Sequence, residues 1–395
     1  MEWYQIVIGV VVGLICLMIL VILHELGHAI VARRNGVKVE EFGIGFPPRA
    51  KILGKYKGTL VTLNWLLPIG GFCQLKDDDD FAIVKKNKAK DLKVQNKGSF
   101  RSAKYWSKTK ILLAGVALNF LAAIVIFSIM AATGMPKVME GQFTIPSDTT
   151  TVVTPVVISA VEDGSPADTA DLRVGDTLIS VANQNMDEGT ALSEITRLNQ
   201  GQEVEIDYQR DGMDFSTHTT LRDGTNGGFL GVSVSQSAYT RSTWSAPIVG
   251  VVTTCQFTWL TLQGLGELVV NFFGGVLGLL SFDDATREAA HNSLGAAGDN
   301  VSGPVGILGV IFPSAAAAGA GQIFFLMGII SLTLAIMNLL PIPGLDGGRW
   351  LLITIFKIIK KPLTIELEGK INGIGMMCLF GLIALITVAD ILKFW

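Results

Sequence analysis

Between Leu20 and Val31 the sequence sets His24, Glu25 and His28 into an otherwise apolar run. That run closes a stretch, residues 6–32, long enough to cross a bilayer as a helix. Little else in the chain limits its fold as much. A charged residue at the centre of such a helix costs about 2.5–3.5 kcal/mol, so ionisable groups there are kept for function. On a helix His24 and His28 lie one turn apart on one face, with Glu25 beside the first. Two imidazoles so placed can hold a zinc ion, and the adjacent carboxylate can take a proton from water and deliver it to a leaving amine. The same five-residue pattern in a soluble helix is commonly a pair of solvated histidines, but the apolar setting argues against that here.

Composition agrees with a membrane setting. Hydrophobic residues are 49% of 395, charged residues 16%, and the mean hydropathy is +0.48, a balance suited to several spans plus a soluble part. The net charge of -3 conceals a segregation: residues 33–110 hold 18 Lys+Arg against 7 Asp+Glu, and residues 134–245 hold 6 against 16. These regions are expected on opposite sides of a bilayer, and no nucleic-acid partner is expected. Cys16, Cys73, Cys255 and Cys378 are scattered, without metal-ligand spacing, and read as packing residues.

In chain order, residues 1–133 form the first half of a membrane core. Its spans are expected at about 6–32 and 111–133, and with no basic segment before the first, a cleaved signal peptide is not expected. Arg33, Arg34 and Lys38 after the first span, and Lys97, Arg101, Lys104, Lys108 and Lys110 before the second, make the intervening segment cytoplasmic. Within it, residues 39–75 have strand-like patterning broken by glycine and proline, including Pro68-Ile69-Gly70-Gly71. Two readings stand: a hairpin folded back toward the histidines, whose edge near Gly70 and Gly71 could pair with an extended substrate, or a small cytosolic sheet. Residues 76–110, with Asp77–Asp80 and the lysines of 85–97, read as a charged linker.

Residues 134–245 are expected to form an extracytoplasmic α+β domain of short Val/Ile/Thr-rich strands, with one helical stretch near Thr190–Leu198. Glu162-Asp163-Gly164-Ser165-Pro166-Ala167 and Leu172-Arg173-Val174-Gly175-Asp176 resemble the paired turns of a bacterial PDZ domain. Gly228-Phe229-Leu230-Gly231-Val232 resembles its peptide-binding strand; Ala170-Asp171-Leu172 departs from the usual Ala-Gly-Leu. His218 and His291 read as surface residues. Residues 246–320 are apolar and glycine-rich, then polar, and lead through Ser302-Gly303-Pro304-Val305-Gly306 into a second core half, 321–395, with spans at about 322–345 and 371–389.

In that second half, Asn338-Leu339-Leu340-Pro341-Ile342-Pro343-Gly344-Leu345-Asp346-Gly347 interrupts an apolar helix with two prolines just before an aspartate. Asp346 is the natural third ligand, since two histidines and one carboxylate leave a coordination position open. Taken together, His-Glu-x-x-His, this proline-interrupted motif, the single PDZ-like insertion, Pro68-Ile69-Gly70-Gly71 and Ser302-Gly303-Pro304-Val305-Gly306 resemble the site-2 protease family of intramembrane zinc metalloproteases, in its bacterial form with one PDZ domain. The resemblance implies His24, His28 and Asp346 as zinc ligands, Glu25 as general base, and Asn338 as a substrate or transition-state contact. Gly115-Val116-Ala117-Leu118-Asn119 departs from the family, which more often has proline after that glycine.

For Asp346 to meet the histidines, its span must run from outside to inside, which places Arg349, Lys357, Lys360 and Lys361 in the cytoplasm. Residues 246–281 then cannot cross and are expected on the outer surface. The fold class expected is a multispanning α-helical membrane protein of four spans, with a membrane-associated β-hairpin region and an inserted extracytoplasmic PDZ-like α+β domain. The location expected is the inner (plasma) membrane, with both termini extracytoplasmic. The function implied is endopeptidase cleavage within or near the spans of single-span membrane proteins already cut once by another protease. This is regulated intramembrane proteolysis, such as anti-sigma factor cleavage, or the clearance of signal-peptide remnants. The PDZ-like domain would act as a gate, or else recruit through Gly228, Phe229, Leu230 and Gly231. A silent peptide-binding scaffold is disfavoured by the intact Glu25, and a metal transporter by the lack of internal repeats.

Overall fold

The computed structural model describes residues 3–77, 97–186, 191–223, 228–279 and 303–394. Asp78–Asp80, the lysines of 85–93, Thr190, His291 and Ser302, named above, lie outside them. The described residues divide into two compact units, Met1–Met130 with Ala246–Trp395, and Ala131–Ser245.

The first unit begins with helix α1 (Trp3–Arg34), which closes on Arg33 and Arg34, cations at the negative end of the helix dipole. Its glycines set the packing. A side chain on Gly27 would overlap the carbonyl of Ala114 at 2.4 Å, so helix α2 (Tyr105–Thr133) lies directly against α1 there. At the other end, Gly9 and Gly13 admit Pro313 and Phe312 of helix α6 (Pro304–Ala318), which is wound as a π-helix over Ile307–Ile311. Asp390, buried, accepts from the backbone N–H groups of Gly303 and Gly306 at the start of α6.

Between α1 and α2 run strands β1 (Val39–Tyr56) and β2 (Thr59–Leu75), joined by the two-residue turn Lys57-Gly58 with positive φ at both positions. β1 is broken at Pro47-Pro48, which cannot donate to a ladder. Residues 39–44 therefore pair with 71–75 on one side and with 60–63 on the other, while 49–56 pair with 59–64. The end of β2 lies against α1: a side chain on Gly71 would stand 3.3 Å from Val21 and 3.6 Å from the Glu25 side chain.

Helix α5 (Ala246–Leu279) is a single 34-residue helix. Its stretch to Gly275 is long and apolar enough to cross a membrane, which makes five such helices where four spans were expected. The glycines of this segment do not interrupt it. In its first turns Gly250 lies on Ser128, and the Phe257 ring is 5.4 and 5.7 Å from those of Phe127 and Phe325. Beyond them Trp259, Val270 and Phe273 are exposed. Helix α7 (Ala320–Leu339) ends at the proline break, earlier than the expected 345, because neither Pro341 nor Pro343 can supply the N–H that would continue it. Helix α8 (Asp346–Ile358) restarts at once, and α9 (Ile365–Phe394) completes the unit.

The second unit carries the inserted α+β fold. Helices α3 (Pro166–Thr169) and α4 (Ala191–Leu198) accompany a sheet of order β10-β5-β6-β8-β9, with β7 beside β6. These strands are β5 (Val156–Val161), β6 (Thr177–Val181), β7 (Gln184–Asn185), β8 (Glu203–Arg210), β9 (Met213–Thr220) and β10 (Val232–Ser235). Strands β3 (Met135–Pro136), β4 (Thr150–Val153) and β11 (Ala238–Arg241) form a second sheet. Ile158, Leu178, Val181, Ile206 and Leu230 are the centre of one apolar core. The segment expected as a peptide-binding strand, Gly228–Val232, is a bend over 229–230 and becomes strand only at Val232, because Leu230 turns into that core and Gly231 takes φ +79°.

One carboxylate ties the ends of the insertion. Asp148 accepts from the backbone N–H and the hydroxyl of both Thr243 and Ser245, with Ser245 Oγ at 2.5 Å. Partial desolvation pushes its pKa up, and the four hydrogen bonds outweigh that and hold it at about 2. A depressed carboxylate stabilises the fold above its unfolded pKa of ~3.9, and that contribution is lost as pH falls from there through about 2. In an acid titration followed by circular dichroism, Asp148→Asn should remove this part of the pH dependence while lowering stability at neutral pH.

Candidate metal centre

Three donors from the two halves of the first unit converge. His24 Nε2 is 3.0 Å and His28 Nε2 3.2 Å from Asp346 Oδ2, and the two Nε2 atoms are 3.2 Å apart. Among the described residues these three form a group able to hold a metal ion. The α1 register places both imidazoles on one face, and both are buried. Asp346 reaches them because α8 starts immediately after the break. A side chain on Gly347 or Gly348 would strike the carbonyls of Leu339 and Ile342 at 2.1 and 1.9 Å. The two glycines thus let the first turn of α8 lie on the backbone of the break itself.

The far side of each ring fixes which nitrogen faces inward. His28 Nδ1 donates to the Ile111 carbonyl at 2.8 Å, which leaves Nε2 as a lone pair. The Asn119 side-chain amide lies 3.3 Å from His24 Nδ1, and its buried Oδ1 has no partner. Turned by half a rotation, that oxygen accepts the Nδ1–H of His24, and the second Nε2 also becomes an inward lone pair. Two lone pairs and a carboxylate oxygen, each about 3 Å from the others, repel unless a cation lies among them. Ligands around a tetrahedral ion at ~2.0–2.1 Å stand about 3.3 Å apart, so the observed triangle suits a small divalent ion with little movement.

Glu25 is half-buried beside His24, and its carboxylate accepts from the Cys73 backbone N–H. Gly71, beside Glu25, belongs to the same strand end, whereas Gly70 at φ +159° lies under the Phe46 ring. Asn338 occupies the last turn of α7, half-buried. Gly228, Phe229, Leu230 and Gly231 belong to the other unit, where the Leu230 carbonyl accepts from Ala167 and that of Gly231 from Glu162.

Two contributors escaped the sequence reading. Asn119 orients His24, and Gly115 makes room for both rings, since its side chain would stand 2.4 Å from His28 Nε2 and 2.7 Å from His24 Nε2. The segment Gly115–Asn119 carries both residues, four positions apart and hence on one helix face, but only the packing of α2 on α1 gives them meaning. Gly115→Ala should displace the imidazoles while α2 still forms. Metal content by elemental analysis should fall at least tenfold, and any dependent activity about a hundredfold, the usual consequence of a 1 Å misplacement.

Comparison with known proteins places this site in a lineage. The chain is similar to a putative zinc metalloprotease of Nostoc sp., at 27% identity over 95% of this chain and 93% of the relative. It is similar to zinc metalloprotease RasP of Geobacillus kaustophilus at 26% identity, over 95% and 96%. A PDZ domain of an SdrC-like protein from Listeria monocytogenes aligns with 20% of this chain and 86% of its own, at 18% identity and a TM-score of 0.19. The family model of peptidase family M50 matches residues 12–382, which include all three converging donors and Glu25, and the chain belongs to that family.

Proposed function

We propose that the protein is a zinc-dependent endopeptidase of the site-2 type, which hydrolyses peptide bonds within or near the spans of membrane proteins. The observation that carries this reading is the convergence of His24, His28 and Asp346 beside Glu25, inside a bundle of helices apolar enough for a bilayer. The three donors would hold zinc, whose contribution when bound is to polarise a carbonyl and acidify water. Glu25 is the general base: it takes the proton of the attacking water and returns it to the leaving amine. Its hydrogen bond from Cys73 keeps the carboxylate beside His24, so the base is fixed by strand β2 as well as by α1. The substrate must be unwound to be attacked, and an extended segment could pair along the strand end that carries Gly70 and Gly71. Asn338, one turn before the break, is proposed as a contact for that substrate.

The topology proposed has four spans, α1, α2, α7 and α9, in an inner (plasma) membrane, with the donors toward the cytoplasm and residues 134–245 and both termini outside. Packing supports this. Gly303 lies against Ile386 and Asp390 near the end of α9, and α6, which follows it, lies on the first turns of α1. If α5 crossed, residues 280–302 would have to cross back carrying Asp283, Asp284, Arg287, Glu288 and Asp299, a costly passage. The inserted unit is proposed as a PDZ-like gate that admits single-span substrates already shortened by another protease, in regulated proteolysis such as that of anti-sigma factors or in the removal of signal-peptide remnants.

Purified protein should cleave a single-span substrate in detergent and stop when a chelator removes the metal. Glu25→Gln should abolish cleavage with about one zinc still bound per chain by elemental analysis; full turnover in that variant would move the base elsewhere. A separate test addresses the gate. Initial rates on one substrate, full-length and ectodomain-trimmed, should differ strongly in the intact protein and converge once residues 155–240 are removed. If the insertion recruits instead, its removal slows both substrates.

A further inference from the structure

The second sheet of the inserted unit has one closed edge and one open edge. Its order is β3-β11-β4, so β3 and β4 are the outer strands. β3 is two residues long, and one of them is Pro136, which has no N–H to offer. β4 lies within Thr149–Thr154, an unbroken run of six β-branched residues without charge or proline. All four of its residues are exposed, Val152 by 56%. Sheet edges are ordinarily blunted by a charge, a proline or a bulge, and β4 has none of these.

The register fixes which backbone groups the open edge presents. The Ala238 carbonyl accepts from Lys137 on the β3 side, and the Ser237 carbonyl accepts from Thr154 at 2.8 Å on the β4 side. In an antiparallel ladder the direction alternates residue by residue. Tyr239 is opposite Val152 and Arg241 opposite Thr150, so these two β4 residues bond β11, while Thr151 and Val153 turn N–H and C=O outward. Among the described residues nothing bonds those four groups. Both ends of the strand are fixed, Asp148 by the N–H groups of Thr243 and Ser245, and Thr154 by Ser237, through its N–H and its hydroxyl. The edge is thus extended before anything pairs with it, which lowers the cost of pairing.

Alternating outward donors and acceptors fit an extended polypeptide. Its source follows from length and place. Four residues of ladder fall far short of the roughly 20–30 residues a side of a stable interface, so this edge alone retains neither a second copy nor a free peptide. A partner already held elsewhere on the same molecule needs no more, because its effective concentration is on the order of millimolar. The sheet is also fastened to the end of an apolar helix. One residue separates α2 from β3, Arg241 Nε donates to the Ala132 carbonyl at 3.1 Å, and the Ser242 N–H donates to that of Ala131 at 2.7 Å. Trp244, exposed three residues past β11, suits the headgroup level at which the proposed topology puts this end of α2. We propose that β4 pairs with the extended residues of a substrate just outside its membrane span. The inference rests on the proposed proteolytic function and adds to it a preference for a juxtamembrane segment able to form a strand. It concerns substrates the gate has already admitted, so it shows in KM and leaves kcat unchanged.

The test uses the full chain and an ectodomain-trimmed single-span substrate that the intact protein cleaves; if no such substrate is cleaved, the proteolytic reading fails, and the pairing with it. Val152→Cys is placed in the Glu25→Gln chain, and single cysteines are moved through successive substrate residues just outside its span. Val152 directs its own N–H and C=O to β11, so its Cα stands about 4.5 Å from a residue paired across the free edge, within reach of a disulfide. Disulfides should form at alternate substrate positions. In the active chain, Val153→Pro removes one outward N–H and no bond to β11. It should raise KM about fivefold, the equivalent of one hydrogen bond, with kcat unchanged. On a substrate that ends at the membrane face the same variant should match the parent chain. The disulfide scan, which needs no proline, covers the case in which Val153→Pro fails to fold. Disulfides at every position or at none, or an unchanged KM in a folded Val153→Pro, would overturn the pairing while proteolysis stands.

Discussion

The structure of the membrane core depends on one close approach, that of α2 to α1 at Gly27 and Gly115. The carbonyl of Ala114 and the rings of His24 and His28 occupy the space where two β-carbons would otherwise stand. From this contact follow the Ile111 carbonyl behind His28, the Asn119 amide behind His24, and the exclusion of water from both rings. An imidazole in a bilayer-length helix is tolerable only when each nitrogen has a partner, and α2 provides the outer partner of both. Ser331 Oγ donates to the Asn119 carbonyl and so joins α7 to the same turn of α2.

The third donor is positioned by a different device. A continuous helix could not present a carboxylate at its own first turn in the middle of the core. The break after Leu339 creates a new helix start there, and Gly344, Gly347, Gly348 and Gly375 let the broken backbone pack without side chains between its turns. The N-terminal end of α8 also favours a negative charge, which suits an aspartate in its first turn. The arrangement costs the hydrogen bonds the prolines cannot make. It recovers some of them locally, since Ile342 N bonds Leu340 O and Leu345 N bonds Ile342 O.

How much of this could be read from the sequence follows from the range of each interaction. His24, Glu25 and His28 declare themselves by spacing within one turn, and Asp346 by the two prolines before it; the boundary of the inserted unit shows as a change in charge. Asn119 and Gly115 were invisible because their role exists only against another helix. Residues 39–75 were legible as strands but not in their pairing, since with the break at Pro47-Pro48 both halves of β1 pair with the first part of β2, and the first half pairs with its last part as well. Residues 246–281 were expected on the outer surface from the parity of the other spans, which says nothing of their conformation; they form one continuous helix over 246–279, since in apolar surroundings the backbone best satisfies its own hydrogen bonds as a helix. Leu230 was expected in a strand because Gly228–Val232 resembles the peptide-binding strand of a PDZ domain; burial in the core bends the chain there instead.

The donors His24 and Asp346 are 322 residues apart in the chain. At a synthesis rate of about 5–20 residues per second, the aspartate emerges on the order of tens of seconds after the histidines enter the membrane. Throughout that interval the nascent chain holds two imidazoles and Glu25 but no third donor, and the helices that present it are not yet made. The converging set of donors is therefore completed late in synthesis, and a chain interrupted before residue 346 lacks one of the three groups able to hold a metal ion.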